Sequence, residues 1–300
     1  GASSLVLGLL ILVIGMLLMR RVVDPLAEVV AGARAVAGGD LAARVPLHQH
    51  RDDLYALSSA FNQMAEELER SDHQRREMLA DIAHELRTPL SILRGRLEGI
   101  VDGIYPADEA HIAPALEEVY LLERLVDDLR LLTQAEARQL PLDRAEFDLR
   151  ELACKVSATF EPEALELGLS LACQVAQQPL PVLADPQRVE QVIGNLIGNA
   201  LRYVPSGGQV AVELSRQPGQ AVVRVVDNGP GVAEAELPFL FERFWRGEGS
   251  RGRASGGVGL GLAIARQLVE AMGGQIWARN NPPGGLEVGF SLPTQGSSID

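Results

Sequence analysis

Apolar residues along this chain follow several different spacings, and each spacing marks a different kind of segment. Residues 1–19 carry no charge and consist largely of Leu, Val, Ile and Gly, a run at the short end of what spans a bilayer. Arg20 and Arg21 follow at once, which by the positive-inside tendency places the next segment in the cytoplasm. A buried core helix or a signal-peptide apolar region are the alternatives. A signal peptide, however, needs a basic start and a small-residue cleavage site, and neither is present. The expectation is a membrane helix over 1–20, in a fragment whose front is missing.

From residue 24 the period becomes helical. Asp24-Pro25 is a helix start, Leu26, Val29, Val30, Ala33 and Val36 form a stripe, and Gly38, Gly39 and Asp40 stop it. After a connector over 41–51, Leu54, Leu57, Phe61, Met64 and Leu68 recur at heptad spacing. Neither helix can bury its stripe alone, which favours a dimeric parallel bundle. Residues 69–77 are polar all round and read as a solvated helical bridge, with His48, His50 and His73 facing solvent. A further helix runs from 74 to about 101, a Gly/Pro turn occupies 102–108, and a second helix reaches about 134 along Ile112, Leu116, Val119, Leu122, Val126 and Leu129. This antiparallel pair with an exposed seam makes a four-helix bundle when two chains meet. His111 opens its second helix without a motif around it.

Residues 139–146, with Pro141, read as a hinge. Beyond them comes a helix through Leu152, Val156 and Phe160, then apolar runs over 169–175, 209–214, 221–226 and 286–292, alternating with helices. That alternation predicts an α/β sandwich, a mixed sheet with helices on one side. The polar tail after Pro293 is expected to fray.

Composition narrows the chemistry. With 47% hydrophobic residues among 300, a sizeable core is available, and the length suggests about two domains. A net charge of −13 argues against nucleic acid as a partner. Lys155 is the single lysine and lies in ACKVS, so there is no GK[ST] phosphate loop, and cations meeting phosphate must be arginines. Cys154 and Cys173 show neither zinc spacing nor a disulfide framework and read as core fillers in a reducing compartment.

The segment 79–93, LADIAHELRTPLSIL, places Leu79, Ile82, Leu86, Leu90 and Leu93 on one helical seam. His84 lies two residues from Ile82 and from Leu86, hence about 200° around the helix and away from the seam. Glu85 adjoins it, Thr88 sits one turn on, and Pro89 removes the donor for the carbonyl of Glu85. Alone, this is a surface histidine on an amphipathic helix. Some 110 residues on, Asn195 and Asn199 sit four apart among Val192, Ile193, Leu196, Ile197 and Ala200, a spacing that puts two carboxamides on one face. Neutral oxygens of that kind suit Mg²⁺ that keeps phosphate in its shell, although either asparagine alone could equally cap backbone. Asp227 ends an apolar strand before Asn228-Gly229-Pro230-Gly231, which could also be a plain turn. Seven glycines between Arg246 and Leu262 then suit a lid over a triphosphate that ends at a helix N-terminus.

HELRTPL, NLIGNALRY, VVDNGPGV, LFERFWRG and GGVGLGLAI, in this order, resemble the H, N, G1, F and G2 boxes of two-component sensor histidine kinases, with a phosphoacceptor region most like envelope-stress sensors of the BaeS kind. RDDL and AFNQM resemble the second helix of a HAMP linker. The resemblance implies a multidomain chain: a membrane helix (1–20), an all-α HAMP linker (21–73), a dimeric four-helix phosphotransfer bundle (74–138), the hinge (139–146), an α/β sandwich of the GHKL (Bergerat) ATP-binding type (147–294) and a tail (295–300).

It also implies roles. His84 would accept the γ-phosphoryl of ATP, Glu85 would fix its tautomer, and Thr88 would orient water for dephosphorylating a response regulator. Asn199 would ligate Mg²⁺ with support from Asn195, while Arg202 and Tyr203 would reach phosphate and adenine or ribose. Asp227 would accept from the adenine amino group beside Gly229 and Gly231. Phe241, with Phe244 and Trp245, would anchor the lid, Arg243 and Arg246 would meet phosphate or the phosphoacceptor helix, and Gly257, Gly259, Gly261 and Leu262 would cradle phosphate. Val258 stands where Ser or Thr is usual. ATP and Mg²⁺, a homodimer, a response-regulator receiver domain and the bacterial inner membrane are the implied cofactors, partners and location. A clamp-type GHKL ATPase, or a pseudokinase scaffold, would lack the HELRTP helix or have a broken box.

Overall fold

The structure is a computed structural model that describes residues 2–19, 23–47, 52–137, 139–175, 178–247, 258–282 and 284–294. It divides into two compact units, Gly1–His84 and Glu85–Asp300. His48, His50, Arg20, Arg21, Gly257 and the expected tail lie outside the described residues.

In the first unit, α1 (Ala2–Leu18) has 17 residues, and each of its described side chains is exposed. Among the described residues no helix is long and apolar enough to cross a membrane. Helix α2 (Asp24–Ala37) begins with Pro25 in its first turn and stops at Gly38, whose N–H reaches back to the last carbonyls. Helix α3 (Asp52–Val101) is one 50-residue element with Pro89 inside it. The core of this unit is Val36, Val45, Phe61 and Ala65. Asn62 fixes the connector by accepting from the N–H of Val45 and donating to its carbonyl, both at 2.9 Å. Of the expected seam Phe61 is buried within the chain, while Leu57, Met64 and Leu68 are exposed, and the stripe covered here is Ser58, Phe61 and Ala65. The connector packs onto α3 beside α2, so the face covered within the chain is rotated from the leucine stripe.

In the second unit, α4 (Glu109–Glu136) is capped by Asp108, whose carboxylate accepts from the N–H of His111 and meets its Nδ1 at 2.6 Å. Helix α4 carries two apolar stripes where one was expected. Ile112, Leu116 and Val126 are open, while Leu125, Leu132 and Ala135 are buried, and α4 packs on the helical layer that follows.

Strand β1 (Ala145–Asp148) pairs antiparallel with β3 (Pro181–Ala184), so Ala145 and Glu146 belong to a strand and not to a hinge. Asp148 ends β1 and caps α5 (Leu149–Glu166), and Asp185 ends the β3 run and caps α6 (Pro186–Tyr203). The main sheet has the order β2-β4-β5-β7-β6, with β2 (Ser170–Gln174) parallel to β4 (Gln209–Gln217) and β5 (Gln220–Asp227), β7 (Leu286–Pro293) and β6 (Gln275–Asn280) antiparallel neighbours. Val223 of β5 and Phe290 of β7 are register partners and fully buried, with Val212 of β4 buried on the same face, against Ile193 and Ile197 of α6 and Ile264 and Leu268 of α7 (Gly261–Ala271). Each Å² of apolar area buried in that layer stabilises the fold by about 25 cal/mol. Cys154 of α5 and Cys173 of β2 are joined as a disulfide with Cα atoms 5.6 Å apart, a correction to their reading as unpaired core residues. Helix α5 turns directly into β2, and this return brings the two sulfurs together.

Candidate functional site

Helix α6 is the floor of the site. The Asp185 carboxylate accepts from the N–H groups of Gln187 and Arg188 and orients its first turn. Burial of Val192, Ile193, Leu196, Ile197 and Ala200 then fixes the rotation of the helix and leaves Asn195 and Asn199 on the opposite face. Both asparagines line a cavity of about 930 Å³, together with Arg202 and Tyr203 one turn further on. The Asn195 amide donates to the carbonyl of Gly261 at 3.0 Å, tying α6 to the start of α7.

The far wall is the turn after β5. Asp227 Oδ1 accepts from the N–H of Gly229 at 2.8 Å and of Leu286 at 3.1 Å. Burial pushes its carboxyl above the usual range, partly offset by those two bonds. Gly231 adopts φ +69°, and a Cβ there would lie 2.9 Å from Asn280 Oδ1. Asn280 in turn holds Val232 by both backbone groups, at 2.9 and 2.7 Å. Asn280 was not anticipated: it lies in no motif, and its partner is 48 residues away.

At the third side the chain passes a 3-10 turn (Leu237–Phe239) and meets Gly259. Gly259 has φ +78°, and a Cβ would lie 2.9 Å from the Phe244 carbonyl carbon and the Trp245 oxygen. Its carbonyl accepts from the N–H of Phe244. Gly259, Gly261 and Leu262 all line the cavity, and the first-turn N–H groups of α7 lack intrahelical partners, the usual setting for an anion. Gly229, Phe241, Arg243 and Arg246 stand outside the lining, where Leu240, Trp245 and Gly247 take their place. Burial holds the Arg243 guanidinium below its usual range.

The fourth wall went unseen in the sequence: Leu121, Arg124, Leu125 and Asp128 of α4. Their i, i+3, i+4, i+7 spacing is a helical face, but charges at two of the four positions hid it from an apolar count. Burial raises Asp128 to about 6, with Asp127 adding to the rise and Arg124 opposing it. On α3, His84 and Thr88 are exposed, Glu85 is half-buried and Pro89 is buried.

The cavity combines a half-buried carboxylate, two amide side chains, an arginine and a glycine-rich helix start, as a nucleotide pocket requires. Family models match in three places: the HAMP domain over residues 17–70, the His Kinase A (phospho-acceptor) domain over 74–138, and the histidine kinase-, DNA gyrase B- and HSP90-like ATPase over 184–296. The signal transduction histidine-protein kinase BaeS of Escherichia coli is 39% identical over 279 residues, 93% of this chain and 59% of its own length. The sensor protein SphS of Synechococcus elongatus is 41% identical over 75% of this chain and 56% of its own length. The chain thus spans somewhat over half of these curated relatives. Among solved structures, ShkA in complex with AMPPNP is 31% identical, with a TM-score of 0.54 over 72% of this chain and 45% of that one. The Acinetobacter baumannii histidine kinase AdeS is 32% identical, with a TM-score of 0.61, over 71% of this chain and 98% of that structure. On the order of its three domains and on these relatives, the chain belongs to the sensor histidine kinases.

Proposed function

We propose that this chain transfers the γ-phosphoryl group of ATP to His84 and passes it to an aspartate of a response regulator, with Thr88 placed to support the reverse, dephosphorylating activity. The observation that carries this reading is the cavity itself, where Asn195, Asn199, Asp227, Gly259 and Gly261 meet in a chain that also presents an exposed histidine followed by Glu85 and Thr88. The imidazole attacks through one nitrogen while Glu85 accepts from the other, which sets the tautomer. Asp227 has an oxygen beyond the one taken by Gly229 and Leu286, and accepts the adenine amino group. Arg202 meets phosphate, Tyr203 meets adenine or ribose, and the start of α7 cradles phosphate.

The neutral oxygen of Asn199, backed by Asn195, fits Mg²⁺ that retains phosphate and water in its shell. Mg²⁺ supplies charge neutralisation when bound, and the protein supplies position. Leu79 and Leu90 on α3, and Ile112, Leu116 and Val126 on α4, are about half exposed in the single chain. Their burial against a second copy supports a homodimer. The uncharged, outward-facing surface of α1, followed by Arg20 and Arg21, supports anchorage at the bacterial inner membrane with the rest in the cytoplasm.

The experiment is ³²P labelling from [γ-³²P]ATP with acid and alkali challenge of the product. His84→Gln should abolish an acid-labile label that the unaltered chain acquires. Label retained in that variant refutes the assignment, and ATP hydrolysis without any protein label would favour a clamp-type ATPase.

A further inference from the structure

The charges around the cavity carry an inference that rests on its reading as an ATP site. Among the described lining residues two are cationic, Arg202 from α6 and Arg124 from α4. Three are acidic: Asp128, Asp227 and Glu236. Among these described residues the acidic groups outnumber the cationic ones, so a triphosphate depends on the arginines, and one of the two comes from α4.

The Arg124 guanidinium is exposed, and its Nε donates to the Tyr120 carbonyl at a long 3.4 Å. That bond leaves the planar fork of its terminal nitrogens for a ligand. No ion pair within 4.0 Å joins it to Asp128 one turn on among the described residues, although its charge acts on that carboxyl from a greater distance. Leu121 and Leu125 flank it on the same face, and Leu125 is buried, so the backbone beneath Arg124 is held in place.

We propose that Arg124 is a phosphate-binding residue of the nucleotide site, contributed by the second helix of the phosphotransfer hairpin rather than by the ATP-binding sandwich. Asp128, one turn along the same wall, opposes it by repelling the same phosphates. The α4 wall thereby reads the phosphate end of the nucleotide and is blind to the base.

The test is calorimetric titration of the full chain with Mg·AMPPNP and, separately, with adenosine. Arg124→Gln should weaken Mg·AMPPNP about tenfold and leave adenosine within twofold, and Arg124→Lys should restore part of the loss. Asp128→Asn should tighten Mg·AMPPNP about threefold, again without moving adenosine. Equal effects of Arg124→Gln on both ligands, or none on Mg·AMPPNP, overturn the proposal. If Arg124→Gln fails to fold, the Asp128→Asn arm decides alone: unchanged or weaker Mg·AMPPNP binding refutes the wall's role. If the unaltered chain binds neither ligand, the cavity is not an ATP site, and that reading falls first.

Discussion

Replacing Asp227 with Asn changes one atom at the wall proposed to meet the base and separates two roles of the same side chain. Oδ1 of Asp227 holds the N–H groups of Gly229 and Leu286 at 2.8 and 3.1 Å. The carboxamide oxygen of asparagine can keep both bonds, and because burial already disfavours the ionised acid, the neutral amide should not weaken the fold. The second oxygen becomes an NH₂. Facing the adenine amino group it sets donor against donor in a half-buried place, which costs about 2–3 kcal/mol, or roughly thirty- to hundredfold in Kd. Asp227→Ala instead loses both backbone bonds and should lower stability by about 1–3 kcal/mol as well.

Calorimetry with Mg·ATP measures the binding loss, and thermal unfolding monitored by circular dichroism measures the fold. Inosine triphosphate, which carries a carbonyl where ATP has its amino group, supplies the reverse arm: Asp227→Asn should bind it better than the unaltered chain does. Binding of Mg·ATP by Asp227→Asn within twofold of the original would refute the assignment of this carboxylate to the base.

Two further outcomes follow from the same geometry. Asp128 has its carboxyl raised to about 6 from 3.8, so the folded state binds more protons than the unfolded state between those values, and stability falls as pH rises through that window. Asp128→Asn should remove the slope and gain about 1 kcal/mol above pH 6 after allowance for partial solvent screening; chemical denaturation at pH 4.5 and 7.5 reads it, and a gain at the lower pH alone would contradict the sign. Gly259→Ala forces a Cβ to 2.9 Å from two backbone atoms at φ +78° and should cost about 1–3 kcal/mol with weaker nucleotide binding. Gly261→Ala, whose nearest neighbour would be Asn195 Cγ at 3.7 Å, should leave the fold in place. Equal melting temperatures for the two variants would remove the steric argument.

The elements legible in the sequence were those whose burial is one-sided. Helix α6 announced itself through Val192, Ile193, Leu196 and Ile197, and its two asparagines stand where that pattern puts them. The strands 209–214, 221–226 and 286–292 were likewise visible as apolar runs. Strands β1 and β3 were not, because this four-residue pair at the margin fully buries only Val182 and Ala184 and depends on partners 33 to 39 residues apart. Strand β6 mixes Trp277, Arg279 and Asn280 and shows no apolar run. Of the box Leu240–Gly247, Leu240, Trp245 and Gly247 line the cavity, while Phe241, Arg243 and Arg246 do not. The α4 wall was missed for another reason: its usefulness to a phosphate comes from charge, and a hydrophobic count discards charge.

Helix α4 helps to enclose the cavity, and this has a thermodynamic corollary. A ligand that touches α4 and the sandwich together binds the closed arrangement better than an open one. By linkage, holding α4 in place must then tighten the ligand by the same factor by which the ligand tightens α4. Nucleotide affinity therefore doubles as a gauge of helix docking: whatever loosens α4 should register as a weaker Kd, even when every residue of the sandwich is untouched.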